Sequence, residues 1–385
     1  MVHFKIPTWL LISFCVGIPV GILGAVFNVE QYFESTHGIG FYGVILQLVA
    51  VILSIYLSML LTIPVHELGH LLGGKLSGYR FVFFRLGKLT LIRVPDGSLA
   101  FRWYTLEGTG GQCAMVSPDP LGDSPYQLYL LGGSLANIFT GIAALVLSFL
   151  FPLFSVPLWL FAASSFFIAA VNLIPSKNPS VPNDGTTLKR CKSDKESRRA
   201  FLVQLSMVEQ LARGRDLSEH PQDWFYSNVS APMTSNFLVS HIWLCTAQRM
   251  LLNGKVNEAL LIFEKLSKTP NLIPMLKYEA TLDTIFCLQL LRKFDAIPTV
   301  KIDKRMKKYL KATEKTSLSR FRHRYATRIL VENKNDGDLI LAEFKEFIPS
   351  YPFSGEIRSE QRLTEMATKE WKNPTVRPVK LKGYP

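Results

Sequence analysis

The sequence predicts a mainly α-helical, multi-pass membrane protein with a small membrane-proximal β-sheet and a soluble helical C-terminal domain. Four uncharged apolar runs lie in the first half of the 385-residue chain, at 7–27, 41–65, 128–151 and 157–174. About 20 apolar residues in a helix span a bilayer, so we expect about four transmembrane helices. Residues 1–185 contain eight Lys/Arg and eight acids, whereas residues 186–385 contain 35 and 22. This contrast separates a neutral membrane part from a basic soluble part.

Three regions follow from this pattern. Residues 1–40 hold a first helix and an outer loop, 41–185 form the membrane core, and 186–385 form a basic cytosolic domain. The run at 7–27 follows Lys5 and has two interpretations, a cleaved signal peptide or a retained helix; its length favours the retained helix. Residues 28–40 carry no Lys/Arg, whereas 75–127 carry six. The positive-inside rule therefore places 75–127 and the C-terminal domain in the cytosol, as expected for a multi-pass protein of the cell membrane.

The second apolar run ends in the motif His66-Glu67-x-x-His70. Residues i and i+4 share one face of a helix, so the two imidazoles can bind one metal ion. Glu67, beside the first ligand, can take a proton from a metal-bound water without binding the metal itself. Ionisable groups in a membrane helix are costly and usually functional. The alternative is a pair of surface histidines with a salt-bridging glutamate.

A change of period predicts a β-hairpin region at 79–106. Tyr79–Phe84, Lys88–Val94 and Leu99–Tyr104 read as strands, with a turn at 95–98. Two interpretations stay open. One is an interfacial hairpin anchored by aromatic residues, and the other is an open strand edge that receives an extended peptide.

The third and fourth runs carry further polar residues. Gly132 and Gly133 permit close helix packing, and Asn137 needs a hydrogen-bond partner inside the bundle. A site with two histidines needs a third protein ligand, and Asp184 is the only acid that the flank of the fourth run offers. Taken alone, Asp184 before Gly185 also reads as an ordinary turn residue. The five cysteines have no metal-binding spacing and indicate a reducing compartment.

These motifs, in this order, resemble the site-two proteases, a family of intramembrane zinc metalloproteases. The resemblance covers about residues 41–185 and rests on the following sequence segments: His66-Glu67-x-x-His70, Gly132 to Asn137, Asn172-x-x-Pro175, and Asp184-Gly185. Three features differ from the usual pattern, and one of them is Ser134, which follows Gly133 where the family usually has Pro. Eight residues separate Pro175 from Asp184, which is a longer spacer, and Asn183 stands where the family usually has Leu.

The resemblance implies that His66, His70 and Asp184 bind Zn²⁺ and that Glu67 is the general base. Asn172 would position the substrate or steady the developing oxyanion. The expected function is an intramembrane zinc endopeptidase that cleaves transmembrane segments of membrane proteins, signal-peptide remnants or peptide precursors. The alternatives are a catalytically silent membrane scaffold that acts through its C-terminal domain, and a membrane-anchored protease of soluble peptides. A transporter fits least, because the short core has no inverted repeat.

The C-terminal 200 residues predict helices. One helix is expected at Ser193–Arg213 and another at Val256–Lys265, and turns near Gly254, Lys293 and Asp336 give a loose, tetratricopeptide-like spacing. We expect this domain to bind a cytosolic protein partner. The basic stretch at 301–328 matches no nucleic-acid reader motif, so a nucleic-acid partner is not expected. An anionic leaflet or simple solvation of a helical face explains that stretch equally well.

Overall fold

The computed structural model describes residues 41–104, 110–176, 182–228, 233–332, 334 and 336–373. Within these ranges the protein is mainly helical and contains a four-stranded antiparallel sheet. The first apolar run, at 7–27, lies outside the described residues, so the membrane helix expected there stays a prediction.

Three described helices are long and apolar enough to cross a membrane. They are α1 (Phe41–Leu76), α2 (Gln127–Leu150) and α3 (Ser155–Leu173), and a 3₁₀ turn at Pro152–Phe154 joins the last two. The second, third and fourth apolar runs therefore form helices close to their predicted limits. One detail differs: α1 continues past His70 to Leu76, so the histidine motif lies inside the helix rather than at its end.

Helices α1 and α2 cross with their backbones almost in contact. A Cβ atom added at Gly69 would lie 2.3 Å from the carbonyl oxygen of Gly132, and one added at Gly132 would lie 2.3 Å from that of Gly69. A Cβ at Gly73 would similarly meet the carbonyl oxygen of Leu128 at 2.3 Å. Small residues four apart commonly permit such contacts in membranes. Gly132 thus has the packing role predicted for its segment, and the crossing brings the histidine motif against α2.

The sheet lies between α1 and α2 in the chain. Its strands are β1 (Arg80–Leu86), β2 (Leu89–Arg93), β3 (Leu99–Trp103) and β4 (Gly111–Val116), in the spatial order β3-β2-β1-β4. The first three strands confirm the predicted hairpin region. The fourth was not predicted, and it is the edge strand that pairs with β1 and packs against α1.

The two faces of the sheet have different surroundings. Phe83, Ile92 and Val116 are buried in one cluster with Ala212, the last residue of the helix Lys195–Ala212. On β3, Leu99, Phe101 and Trp103 are 53%, 64% and 70% exposed, and their alternation places them on one side of the strand. This exposed apolar stripe is consistent with the interfacial anchor considered from the sequence.

The C-terminal part is a continuous set of packed helices. They are α4 (Asp184–Ser193), α5 (Lys195–Ala212), α6 (Phe237–Leu252), α7 (Val256–Lys268), α8 (Pro274–Leu290), α9 (Lys304–Thr313), α10 (Leu318–Ala326), α11 (Asp338–Phe347) and α12 (Ser354–Trp371), with a π-helical segment at Thr327–Val331 after α10. The predicted helix at Ser193–Arg213 corresponds to α5. Asp194 is the N-cap of α5, and its side chain accepts hydrogen bonds from the backbone N–H groups of Glu196 and Ser197. The tetratricopeptide-like spacing stays a prediction.

The basic stretch at 301–328 divides into a surface part and an interior part. The lysines of α9 are exposed, but Arg320 and Arg322 on α10 are buried. Arg320 pairs with Glu279 of α8, and Arg322 lies between Asp283 of α8 and Glu360 of α12. These two arginines join helices inside the domain, so the stretch as a whole is not a solvated face.

Candidate metal centre

Two imidazole nitrogens and one carboxylate oxygen lie close together near the α1–α2 crossing. The Nε2 atoms of His66 and His70 lie 3.1 Å apart. Each of them lies 3.2 Å from Oδ2 of Asp184. Both histidines are buried, at 6% and 7% exposure. The structure therefore brings together His66, His70 and Asp184, the three residues that the resemblance to the site-two proteases implies as ligands.

The spacing of these atoms fits a metal site. Ligand atoms about 2.0–2.2 Å from a tetrahedral zinc ion lie about 3.3–3.5 Å from one another. The three observed separations are slightly shorter than that range. When both imidazoles carry their hydrogen on Nδ1, the two Nε2 atoms present lone pairs beside the Oδ2 atom of Asp184, an arrangement that a shared cation would stabilise. A donor set of two imidazoles and one carboxylate is also one that catalytic zinc sites use.

A hydrogen bond to the backbone orients His70. Its Nδ1 lies 2.7 Å from the carbonyl oxygen of Tyr129 on α2. A carbonyl oxygen only accepts, so this contact places the ring hydrogen on Nδ1 and leaves the lone pair on Nε2. The hydroxyl of Tyr129 in turn donates to the carbonyl oxygen of Cys113 on β4, at 2.7 Å.

Asn137 of α2 is the corresponding neighbour of His66. Its amide nitrogen lies 3.4 Å from Nδ1 of His66, and its Oδ1 is buried with no hydrogen-bond partner among the described residues. Oxygen and nitrogen of an amide are interchanged by a rotation about its last torsion. The rotated amide would place Oδ1 where it accepts the Nδ1 hydrogen of His66, which would free Nε2 for a metal. The membrane asparagine that needed a partner thus has one at the site.

Gly133 makes room for the ligand atoms. A Cβ atom there would lie 2.6 Å from Nε2 of His70 and 2.7 Å from Nε2 of His66. Any larger residue would therefore intrude on the point where the donor atoms meet. The sequence indicated only packing for this glycine, and its neighbour Gly132 does serve packing.

Asp184 is the first residue of α4 rather than part of an isolated turn. Burial alone would raise the pKa of Asp184, but the nearby His70 and His66 hold that pKa well below its usual range. Helix N-termini also favour negative charge. The Oδ2 atom of Asp184 thus faces the Nε2 atoms of both histidines.

Glu67 lies next to the ligands and against the edge strand. Its side chain is 8% exposed, and a Cβ added at Gly111 of β4 would lie 2.8 Å from Oε1 of Glu67. Its carboxylate is not one of the three converging atoms. Glu67 therefore lies beside the three candidate ligands without being one of them.

The side chains of His66, His70, Asp184 and Glu67 line one cavity of about 570 Å³. It is bounded by α1, β4, α2, α3, α4 and α5, and α5 contributes Phe201 and Leu205 to its wall. Asn172 of α3 also lines it, but its amide donates to the carbonyl oxygen of Ile168 in the same helix, at 2.9 Å. The structure thus places Asn172 at the cavity and outside the ligand triangle.

Three contributors to the site escaped prediction: Gly133, the partner of Asn137, and β4. Asn137 was a usable signal, because a buried amide must find a hydrogen-bond partner, but the identity of that partner depends on helix packing.

No family model matches this chain, and no curated protein or solved structure matches it.

Proposed function

We propose that this protein is an intramembrane zinc endopeptidase. The observation that carries the proposal is the triangle of His66 Nε2, His70 Nε2 and Asp184 Oδ2, with sides of 3.1–3.2 Å, beside a buried glutamate in a membrane-length helix. Structural zinc sites usually have four protein ligands. Three ligands that face a cavity fit a catalytic site instead.

Zinc bound by His66, His70 and Asp184 would supply an activated water and polarise the carbonyl of the scissile peptide. Glu67 would accept one proton of that water on a carboxylate oxygen while the water oxygen bonds to the carbonyl carbon of the peptide. It would then donate the proton to the nitrogen of the leaving amine, so that the peptide C–N bond breaks and Glu67 returns to its ionised form. Tyr129 and Asn137 would hold the two imidazoles in the tautomers that leave Nε2 free.

The substrate would bind in an extended form along the cavity. A peptide carbonyl in a transmembrane helix is tied to the helix, so cleavage requires local unwinding, and we expect substrates with Gly, Pro or Ser in their membrane segment. The Gly111 end of edge strand β4 lines the cavity and can pair with an extended segment. Asn172, on the opposite wall, would contact the substrate backbone through its second amide hydrogen.

We place the site at the cytosolic side of the cell membrane. The six Lys/Arg residues of 75–127 follow α1 directly, and the basic helical domain continues from α4, whose first residue is Asp184. Water would then reach the cavity from the cytosol.

The test compares membrane proteomes of native cells that carry the wild type, Glu67→Gln or the control Glu264→Gln on the surface of α7. We expect purified wild type and Glu67→Gln to bind one zinc ion each. We also expect a few short single-span proteins to accumulate uncut only with Glu67→Gln. Wild-type protein that binds no zinc, or identical proteomes, would refute the proposal.

The second candidate function is a silent membrane scaffold that acts through the helical domain. The observation in its favour is a groove of about 630 Å³ between α8, α9, α10 and α11, whose floor includes Leu282, Ile285 and Leu310. Its lining combines these apolar residues with charged ones such as Lys307, Glu314 and Arg328, and concave sites of this size commonly bind a ligand or partner segment. This candidate gains ground when Glu67→Gln changes nothing while Leu339→Asp, at the exposed rim of the groove, reproduces a loss-of-function phenotype.

A further inference from the structure

Asn183 ties two helices together through four hydrogen bonds of one side chain. Its Nδ2 donates to the carbonyl oxygens of Val171 at 2.6 Å and Ile174 at 2.8 Å, at the C-terminal end of α3. Its Oδ1 accepts from the backbone N–H of Thr186 at 2.9 Å and from the hydroxyl of Thr186 at 2.6 Å, at the start of α4. An amide has two donor hydrogens and two acceptor lone pairs, so every position is used.

The partners also determine the orientation of this amide. Carbonyl oxygens only accept and a backbone N–H only donates, so exchanging Oδ1 and Nδ2 would lose bonds on both sides. The side chain satisfies carbonyls of the last turn of α3 and an N–H of the first turn of α4, groups that helix ends leave unpaired. Asn183 is therefore both the N-cap of α4 and a tether to α3.

The backbone supports the same junction. A Cβ added at Gly185 would lie 2.0 Å from the carbonyl oxygen of Leu173, so α4 begins in direct contact with the end of α3. The hydroxyl of Thr186 also accepts from the backbone N–H of Ser176 at 3.0 Å. Asp184 stands between Asn183, which makes the four hydrogen bonds, and Gly185, which contacts the end of α3.

We infer that Asn183 is a positioning residue for the metal centre: its tether to α3 holds Asp184 Oδ2 within 3.2 Å of both histidines. This inference rests on the proposed zinc site. The ligand comes from a helix of the soluble domain, whereas the two histidines come from α1. The tether makes the position of Asp184 depend on α3, which packs against α1 and α2, rather than on the connection between α3 and α4.

Two substitutions separate the tether from the cap. Asn183→Ser keeps an uncharged N-cap acceptor for α4 but loses the two donors to Val171 and Ile174, whereas Asn183→Ala loses both functions. The matched control is Asn236→Ala, which removes the N-cap of α6, where the Asn236 side chain accepts from Leu238 N–H. That cap contacts no proposed ligand.

The experiment uses the full chain in detergent micelles and measures zinc affinity by competition with a chromophoric chelator and the visible spectrum of the Co²⁺-loaded protein. We expect both Asn183 variants to bind zinc about 10- to 100-fold more weakly, a loss of the size that follows when a group that orients a ligand without binding the metal is removed. Their Co²⁺ spectra should change as well, while Asn236→Ala keeps the wild-type affinity and spectrum.

Each outcome has a definite meaning. Wild-type zinc affinity in Asn183→Ser, with loss only in Asn183→Ala, would show that Asn183 merely caps α4 and would overturn the inference. Wild-type affinity in both variants would overturn it as well. A wild-type chain that binds neither zinc nor Co²⁺ would instead refute the proposed function on which the inference depends.

Discussion

At the scale of single residues, the site depends on an absent side chain as much as on the ligands. Gly133 stands where a Cβ atom would lie within 2.7 Å of the donor nitrogens of both histidines. Such contacts are shorter than van der Waals separations, so the rings would have to turn away. In the proposed zinc site, a residue type usually associated with helix packing would thus determine whether a cation can enter.

We therefore expect Gly133→Ala to abolish zinc binding while the protein remains folded. The control is Gly141→Ala on the same helix, where the added Cβ would meet the movable ring of Phe166 at 3.0 Å and no ligand. Metal content of the purified variants measures the effect. Stoichiometric zinc in Gly133→Ala would show that the histidines do not bind metal in the arrangement described here.

The residue scale also shows how far sequence reasoning reaches. His66 and His70 are one helical turn apart, so their shared face follows from helix periodicity alone. The contact of Asn137 with His66 depends on the crossing of α1 and α2, and nothing in the local sequence around Asn137 specifies which side chain it meets. The placement of Asp184 depends on Asn183, whose four partners come from two different helices.

At the scale of elements, the length of an uncharged apolar run predicted the membrane-length helices well, whereas the local sequence did not predict which strands pair in the sheet. Helices α2 and α3 follow their uncharged runs because a membrane helix needs a fixed apolar length. Strand β4 escaped prediction because it begins at Gly111 after a glycine-rich segment, and glycine disfavours strands. Its pairing with β1 across the hairpin is a non-local interaction, as is its contact with α1.

The buried ion pairs of the helical domain are a second feature of the element scale. Arg322 is 2% exposed, and it donates to Asp283 at 2.8 Å and to Glu360 at 2.6 Å. Its guanidinium also lies over the ring of Phe286, at 4.4 Å. One side chain thus joins α8, α10 and α12. Charged residues in a basic stretch gave no sign of this interior position.

Replacing Arg322 by Leu would leave two buried carboxylates without their counter-ion. We expect Arg322→Leu to lower the free energy of unfolding by about 3–5 kcal/mol, the usual cost of breaking a buried pair. The control on the same helix is Arg324→Leu, which removes a more exposed pair with Glu343 and should cost about 1 kcal/mol or less. Urea unfolding followed by far-UV circular dichroism gives both values, and equal losses would contradict the interior role of Arg322.

At the scale of the whole molecule, the membrane core and the helical domain share one interior. Tyr129 of α2 and Met115 of β4 belong to the same buried cluster as Leu202 of α5 and Trp243 of α6. The ring of Tyr129, whose carbonyl holds His70, lies 6.3 Å from the ring of Phe201. The boundary expected at residue 185 from the charge distribution therefore does not interrupt the packing of buried side chains.

This continuity predicts that zinc stabilises helices that are far from it. A ligand that binds only the folded state adds about 2.7 kcal/mol of stability at a free concentration 100 times its dissociation constant. Since the ligands and α6–α7 unfold together if they share a core, zinc should slow the slowest-exchanging amides of α6 and α7 as much as those of α1. Hydrogen exchange of the wild type with zinc and with a chelator measures this, and Asp184→Ala should show no zinc-dependent protection. Protection confined to α1–α3 would show that the two parts unfold separately, despite the shared cluster.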